Sequence, residues 1–194
     1  TLHALAAQSQ LDPTKANLAT QARAYFEASR RFLEPAPPVL VAIGGLSGTG
    51  KTTLAAAIAP ELGRAPGALH VRSDIERKRL MGARETERLP EAAYRPEISY
   101  AVYAQLQVLA VAGLHAGQAV IVDATHLSPD ERSSVAALAA RAGVSFAGIW
   151  LEAPRPLLVR RVTERRRDAS DADASVVAQQ ADRQVGAVTW SRLN

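Results

Sequence analysis

Val39-Leu40-Val41-Ala42-Ile43-Gly44-Gly45-Leu46-Ser47-Gly48-Thr49-Gly50-Lys51-Thr52 reads as three things in succession. The first five residues are apolar without alternation, as expected of a parallel strand buried on both faces. A glycine-rich turn follows, and then a helix start. Residues 45–52 fill the pattern G-x-x-x-x-G-K-[ST] at every position. Glycines let such a loop turn so that successive N–H groups point inward at phosphate oxygens. The helix that opens near Lys51 adds the positive end of its dipole. Lys51 is expected to reach the β- and γ-phosphates, and the Thr52 hydroxyl to ligate Mg²⁺. The expected nucleotide contacts are Gly45, Leu46, Ser47, Gly48, Thr49, Gly50, Lys51, Thr52 and Thr53. ATP and GTP both fit the loop; no N-K-x-D segment of the guanine-reading kind occurs, which favours ATP.

Outward from this stretch, strands and helices alternate. Strands are expected at 68–72, 120–122 and 144–151, with a short last one in 190–194. Helices are expected at 74–81, 94–116, 129–142, 155–167 and 174–185. That order argues for a three-layer α/β fold with a mainly parallel sheet. Upstream, Leu18, Ala22, Tyr25, Phe26 and Leu33 recur at helical spacing before Pro35-Ala36-Pro37-Pro38 stops any helix. Residues 1–38 therefore read as a helical lead-in and proline-rich linker, and 39–194 as one domain.

Composition narrows the function classes. The 194 residues carry a net charge of +4, but arginine supplies 20 of the 23 basic residues and most are spread along the chain. Nucleic-acid binding is thus open but not favoured by charge. No apolar run approaches the roughly 18–20 residues of a membrane span, and the start lacks the pattern of a signal peptide. With no cysteine there is neither a disulfide nor a thiolate-held metal, which fits a cytoplasmic setting. The chain begins without Met, so a processed chain or a piece of a longer protein is expected.

Three further places carry candidate chemistry. Asp123 closes the apolar run Ala119-Val120-Ile121-Val122 at the carboxyl edge, where it is expected to hold Mg²⁺ or its waters. In Ser73-Asp74-Ile75-Glu76-Arg77, Ser73 and Glu76 fit a capping box, leaving Asp74 free. Asp74 and Arg77 are then neighbours on one helix face, suited to accept a hydroxyl proton and to orient a substrate. The alternative is a surface ion pair at a helix start. Arg160, Arg161, Arg165, Arg166 and Arg167 are expected on one helix, as a lid over the phosphates; the alternative is a solvated basic face balanced by the acids of Asp168-Ala169-Ser170-Asp171-Ala172-Asp173. Spacing does not say which arginine acts. Ser128-Pro129-Asp130-Glu131 reads as a structural capping box, and Trp150 and Trp190 as packing residues. Tyr100 and Tyr103 share a helix face, where the default is packing. His126 reads as a loop residue or at most a substrate contact.

Together, residues 45–52, Ser73-Asp74-x-x-Arg77, Val122-Asp123-Ala124-Thr125 and the 161–166 segment resemble P-loop kinases of the polynucleotide-kinase, gluconate-kinase and zeta-toxin group, ATP-binding proteins of the AAA type. The resemblance implies a five-stranded sheet in the order 2-3-1-4-5 with a helical lid. It implies ATP and Mg²⁺ as cofactors, Asp74 as base, Arg77 as its companion, and Arg161, Arg165 and Arg166 as lid residues. The stretch 158–172 looks closest to the C-terminal domain of bifunctional proteins whose upstream domain is similar to aminoglycoside phosphotransferases. His126 departs from the polynucleotide-kinase pattern, which tends to carry Asn there. The expected activity is ATP-dependent transfer of the γ-phosphoryl group to a hydroxyl of a small-molecule acceptor. The alternatives are a non-catalytic ATP-binding switch and a nucleic-acid 5′-hydroxyl kinase.

Overall fold

The unalternating run does what its burial demands. In the computed structural model, which describes residues 13–33, 36–165 and 168–194, strand β1 (Val39–Gly45) lies at the centre of the sheet with Leu40 to Gly45 all buried. β2 (Leu69–Arg72) and β3 (Val120–Asp123) lie to one side, β4 (Ser145–Leu151) and β5 (Ser191–Leu193) to the other, in the order β2-β3-β1-β4-β5. Every pairing is parallel. Parallel neighbours need crossovers, and helices supply them on both faces: α2 (Lys51–Ile58), α3 (Ser73–Leu80), α4 (Pro96–His115), α5 (Pro129–Ala142), α6 (Arg155–Glu164) and α7 (Ala174–Ala181).

Alternation along the central strands divides the core. Leu40, Ala42, Val71, Val120 and Val122 pack with Val102 and Leu106 of α4 and Val135 and Leu138 of α5. Val41, Ile43 and Ile121 face the other way, onto Ala55 of α2. At 20 residues and a mean hydropathy of 1.2, α4 is long and apolar enough to cross a membrane, contrary to the expectation from sequence. Its inner face is sheet core, with Val102, Leu106, Ala110 and Leu114 buried. Trp190 docks on β4 only because position 148 is glycine: a Cβ there would stand 2.4 Å from the indole. Arg132, buried on α5, donates to the carbonyls of His126, Leu127, Val185 and Ala187 and so ties two loops together.

Upstream, α1 (Pro13–Leu33) leaves Leu18, Tyr25, Phe26, Phe32 and Leu33 exposed. Several expected boundaries move for identifiable reasons. The helix expected over 94–116 begins at Pro96, after a 3₁₀ turn (Glu91–Tyr94). The helix expected over 155–167 stops at Glu164, because Arg165 adopts ψ 134. Arg160 and Arg161 therefore share α6 as expected, Arg165 lies just beyond its end, and Arg166 and Arg167 lie outside the described residues. The Ser73 capping box does not form. α3 begins at Ser73 itself with Arg72 in the cap position, and Glu76 is buried against Arg79 at 2.6 Å. The Ser128–Glu131 box does form.

Candidate active site

The glycine loop lies between β1 and α2, at the carboxyl edge of the sheet. Gly50 has φ 96, which a side chain disfavours, and immediately precedes the helix that Lys51 opens. Lys51 is folded over the loop, donating to the Gly45 and Leu46 carbonyls at 2.9 and 3.0 Å. Burial pulls its pKa below the usual lysine value; the Asp123 and Asp74 charges offset this in part. The Thr52 hydroxyl donates to Asp123 Oδ2 at 2.7 Å, so the two residues expected at the metal are in contact. Burial alone would raise the Asp123 pKa, but hydrogen bonds from His70 and Thr52 and the Lys51 charge hold it below the ordinary range. An ionised carboxylate beside a hydroxyl is a hard oxygen pair that suits Mg²⁺, which commonly takes one or two carboxylates plus substrate phosphates. No cluster of three or more His, Asp or Glu occurs among the described residues, so the pair fits that open mode rather than a closed cage.

An open cleft of about 2150 Å³ runs from this loop past Asp74 to Tyr94. That exceeds the roughly 300–1,000 Å³ of a single small-ligand pocket and leaves room for a nucleotide and a second substrate. Asp74 lines it near the start of α3. Burial raises its pKa, with Asp123 adding to the effect; Lys51, a hydrogen bond from Ser170 and Arg72 act against it. Arg77 also lines the cleft but is anchored. It donates to the Ala93 carbonyl at 2.7 Å and lies under the Tyr94 ring, 4.8 Å from its centroid. Arg161 reaches the loop itself, donating to the Gly48 carbonyl at 3.2 Å. Arg165 lines the cleft and pairs with Asp168 at 3.5 Å. Leu46, Ser47, Gly48, Thr49 and Thr53 hold the positions in and after the loop that the pattern assigns them.

Several residues of the site were not foreseen. Gln180 of α7 accepts from the Ser47 N–H at 2.8 Å. The acids at 168–173 do more than balance the nearby arginines. Asp168 takes Arg72 at 3.1 Å, and Asp173 caps α7 while pairing with Arg88 at 2.9 Å. Asp171 accepts from buried Lys78 at 2.7 Å, from the Tyr94 hydroxyl at 2.6 Å and from the Leu89 N–H at 3.0 Å. Lys78 also donates to the Glu87 carbonyl. The sequence held one signal for this: Asp173 before Ala174-Ser175 is a helix N-cap pattern. His126 is not a substrate contact. It is buried, edge-on to Tyr103 and Trp190 with ring centroids 5.6 and 5.2 Å away.

Chemically, the cleft brings loop amides, an ammonium group, a hydroxyl–carboxylate pair, a second carboxylate of raised pKa and arginines onto one channel. Known proteins share its frame. A sugar kinase from Janibacter sp. HTCC2649 superposes with a TM-score of 0.56 at 22% identity over 81% of this chain and 84% of its own. A chain of the Pnkp1/Rnl/Hen1 RNA repair complex gives 0.58 at 18% identity over 76% and 44%. APE1195 gives 0.52 at 22% identity over 66% and 68%. These likenesses show a shared fold, the parallel five-stranded sheet flanked by helices. No curated protein matches the sequence. The AAA domain family profile, however, matches residues 40–186, a span that holds the loop, Asp74, Asp123, Arg161 and Arg165, and the chain belongs to that family.

Proposed function

We propose that the protein is an ATP-dependent phosphotransferase that moves the γ-phosphoryl group to a hydroxyl of a small-molecule acceptor. The observation that carries this is the placement of Asp74: a carboxylate of raised pKa on the same cleft as the phosphate loop. A pure ATP-binding switch has no need of a base there. The loop amides and Lys51 would hold the phosphates, and Thr52 and Asp123 would hold Mg²⁺. The ion, when bound, offsets charge on the β- and γ-phosphate oxygens. The acceptor oxygen attacks the γ-phosphorus while its proton passes to Asp74. The bond from that phosphorus to the bridging oxygen breaks, and ADP leaves. Arg161 and Arg165 lie on the loop side of the cleft, where arginine stabilises charge on the migrating group. Catalysis of this kind is mostly positioning and electrostatics.

The fold neighbours, a sugar kinase and an RNA repair complex, set the range of acceptors to screen. The test is ATP-dependent phosphate incorporation into sugars, nucleosides, antibiotics and 5′-hydroxyl oligonucleotides, with Lys51→Ala as control. Incorporation into a small molecule, abolished by Lys51→Ala, is expected. Full activity in that variant contradicts the reading, and an oligonucleotide as the only acceptor moves it to the nucleic-acid class.

A further inference from the structure

Asp123 is held from a side the sequence reading did not consider. In Leu69-His70-Val71-Arg72, Val71 packs into the core on the α4–α5 side while His70 and Arg72 point to the other face. Parallel register sets Arg72 beside Asp123 and His70 beside Ile121. His70 Nε2 thereby lies 3.1 Å from Asp123 Oδ2, the same oxygen that takes the Thr52 hydroxyl at 2.7 Å. Arg72 Nε stands 3.8 Å from it. Among the described residues, Oδ1 takes no hydrogen bond.

A carboxylate at the end of a side chain turns about a broad, two-fold torsion, so nothing intrinsic decides which oxygen faces an incoming ion. Here two donors, one from β2 and one from α2, converge on Oδ2 and leave Oδ1 with its lone pairs uncommitted. We propose that His70 is a positioning residue for metal-dependent nucleotide binding, holding Asp123 by Oδ2 so that Oδ1 is kept for the Mg²⁺ of the bound nucleotide. This rests on the reading of the cleft as a Mg–ATP site. It adds a residue outside the loop and strand-end motifs, supplied by the neighbouring strand. Removing the partner that orients a metal-ligating group typically costs about 10–100-fold in metal affinity. Loss near the low end is expected, because Thr52 still holds the same oxygen.

The experiment titrates AMPPNP by calorimetry into wild type, His70→Val and His70→Gln, each in excess EDTA and in excess Mg²⁺. In EDTA, all three are expected to bind within about twofold of one another, which also shows that they are folded. The Mg²⁺ enhancement should fall about tenfold in His70→Val and largely return in His70→Gln, whose amide can still donate. A purely packing role would leave the Mg²⁺ increment unchanged. Full enhancement in His70→Val overturns the proposal, as does a His70→Gln variant no better than valine. His70→Phe, a ring without a donor, repeats the test should the valine variant not fold. Wild-type protein that binds no nucleotide in either buffer sinks the proposed function, and this inference with it. Wild-type protein that binds without any Mg²⁺ enhancement overturns the inference and leaves the phosphate loop standing.

Discussion

At the residue scale, Asp74 holds the most information. Its place after a strand, three residues before Arg77, is visible in the sequence; its environment is not. A free helix-start aspartate should have a depressed pKa, because the dipole favours the charged form. Burial wins instead and raises it, against the opposing charge of Lys51. A base is more effective as its pKa approaches working pH, so the shift has the useful sign. In the proposed base role Asp74 must be deprotonated to accept a hydroxyl proton, so turnover should fall as pH drops through its raised pKa. The acid limb of the pH–rate profile should therefore bend above the ordinary aspartate value of about 4. Asp74→Asn should spare ATP binding and slow transfer by about 10²–10⁴-fold, the usual worth of a positioned base. A variant that loses ATP affinity but transfers normally once loaded removes Asp74 from the base role. Two residues away, sequence logic failed. The Ser73–Glu76 box was plausible by type and spacing, but Arg79 lies three residues on from Glu76 and takes its carboxylate.

At the scale of elements, the phosphate loop was legible because its chemistry is local: each residue type answers to a backbone requirement a few residues away. The arginine segment expected as a lid was only half legible. Its arginines stand out, but their helix ends at Glu164, and the following acids are used over distances of 77 to 96 residues in sequence. Asp171 is the clearest case. It gathers α3 through Lys78, the 3₁₀ turn through Tyr94 and the segment between them through Leu89. Tyr94 in turn covers Arg77, so the loop after α6 shapes the Arg77 end of the cleft. Asp171→Asn keeps the volume but removes the charge that balances buried Lys78, and breaking a buried pair this way costs about 3–5 kcal/mol. The expected result is local: faster amide exchange over residues 84–94, with the central sheet still protected. Tyr94→Phe should give a weaker form of the same pattern. Unchanged exchange across 84–94 in both variants would mean that the segment is held by something else.

At the scale of the whole molecule, alternation of strands and helices was enough for an α/β sheet, whereas the order β2-β3-β1-β4-β5 followed from the family resemblance, since spacing alone does not choose among parallel orders. Burial of His126 was the least foreseeable feature, because a polar residue in a loop after a strand end gives no hint that three elements close over it. Tyr103 comes from α4, Trp190 precedes β5, and Arg132 of α5 holds the His126 carbonyl. Its φ of 48 lies in the left-handed region, more easily entered by Asn than by most side chains. Burial keeps the ring neutral and pushes its pKa down to about 3, the Val122 backbone offsetting this only in part. In the unfolded chain the same ring titrates near 6.5. Between those values the unfolded state binds a proton that the folded state refuses, so stability must decline as pH falls through that window. The slope from this group approaches about 1.4 kcal/mol per pH unit, summing to a few kcal/mol at the acid end. His126→Asn suits the backbone but cannot take up that proton. Its urea-unfolding free energy should be lower than wild type at pH 7, through lost ring contacts, yet fall less steeply between pH 6.5 and 4. Parallel pH dependences in the two proteins would show that the ring is solvated or charged in the native state, and that the closure of α4, α5 and the β5 approach around it is looser than the structure has it.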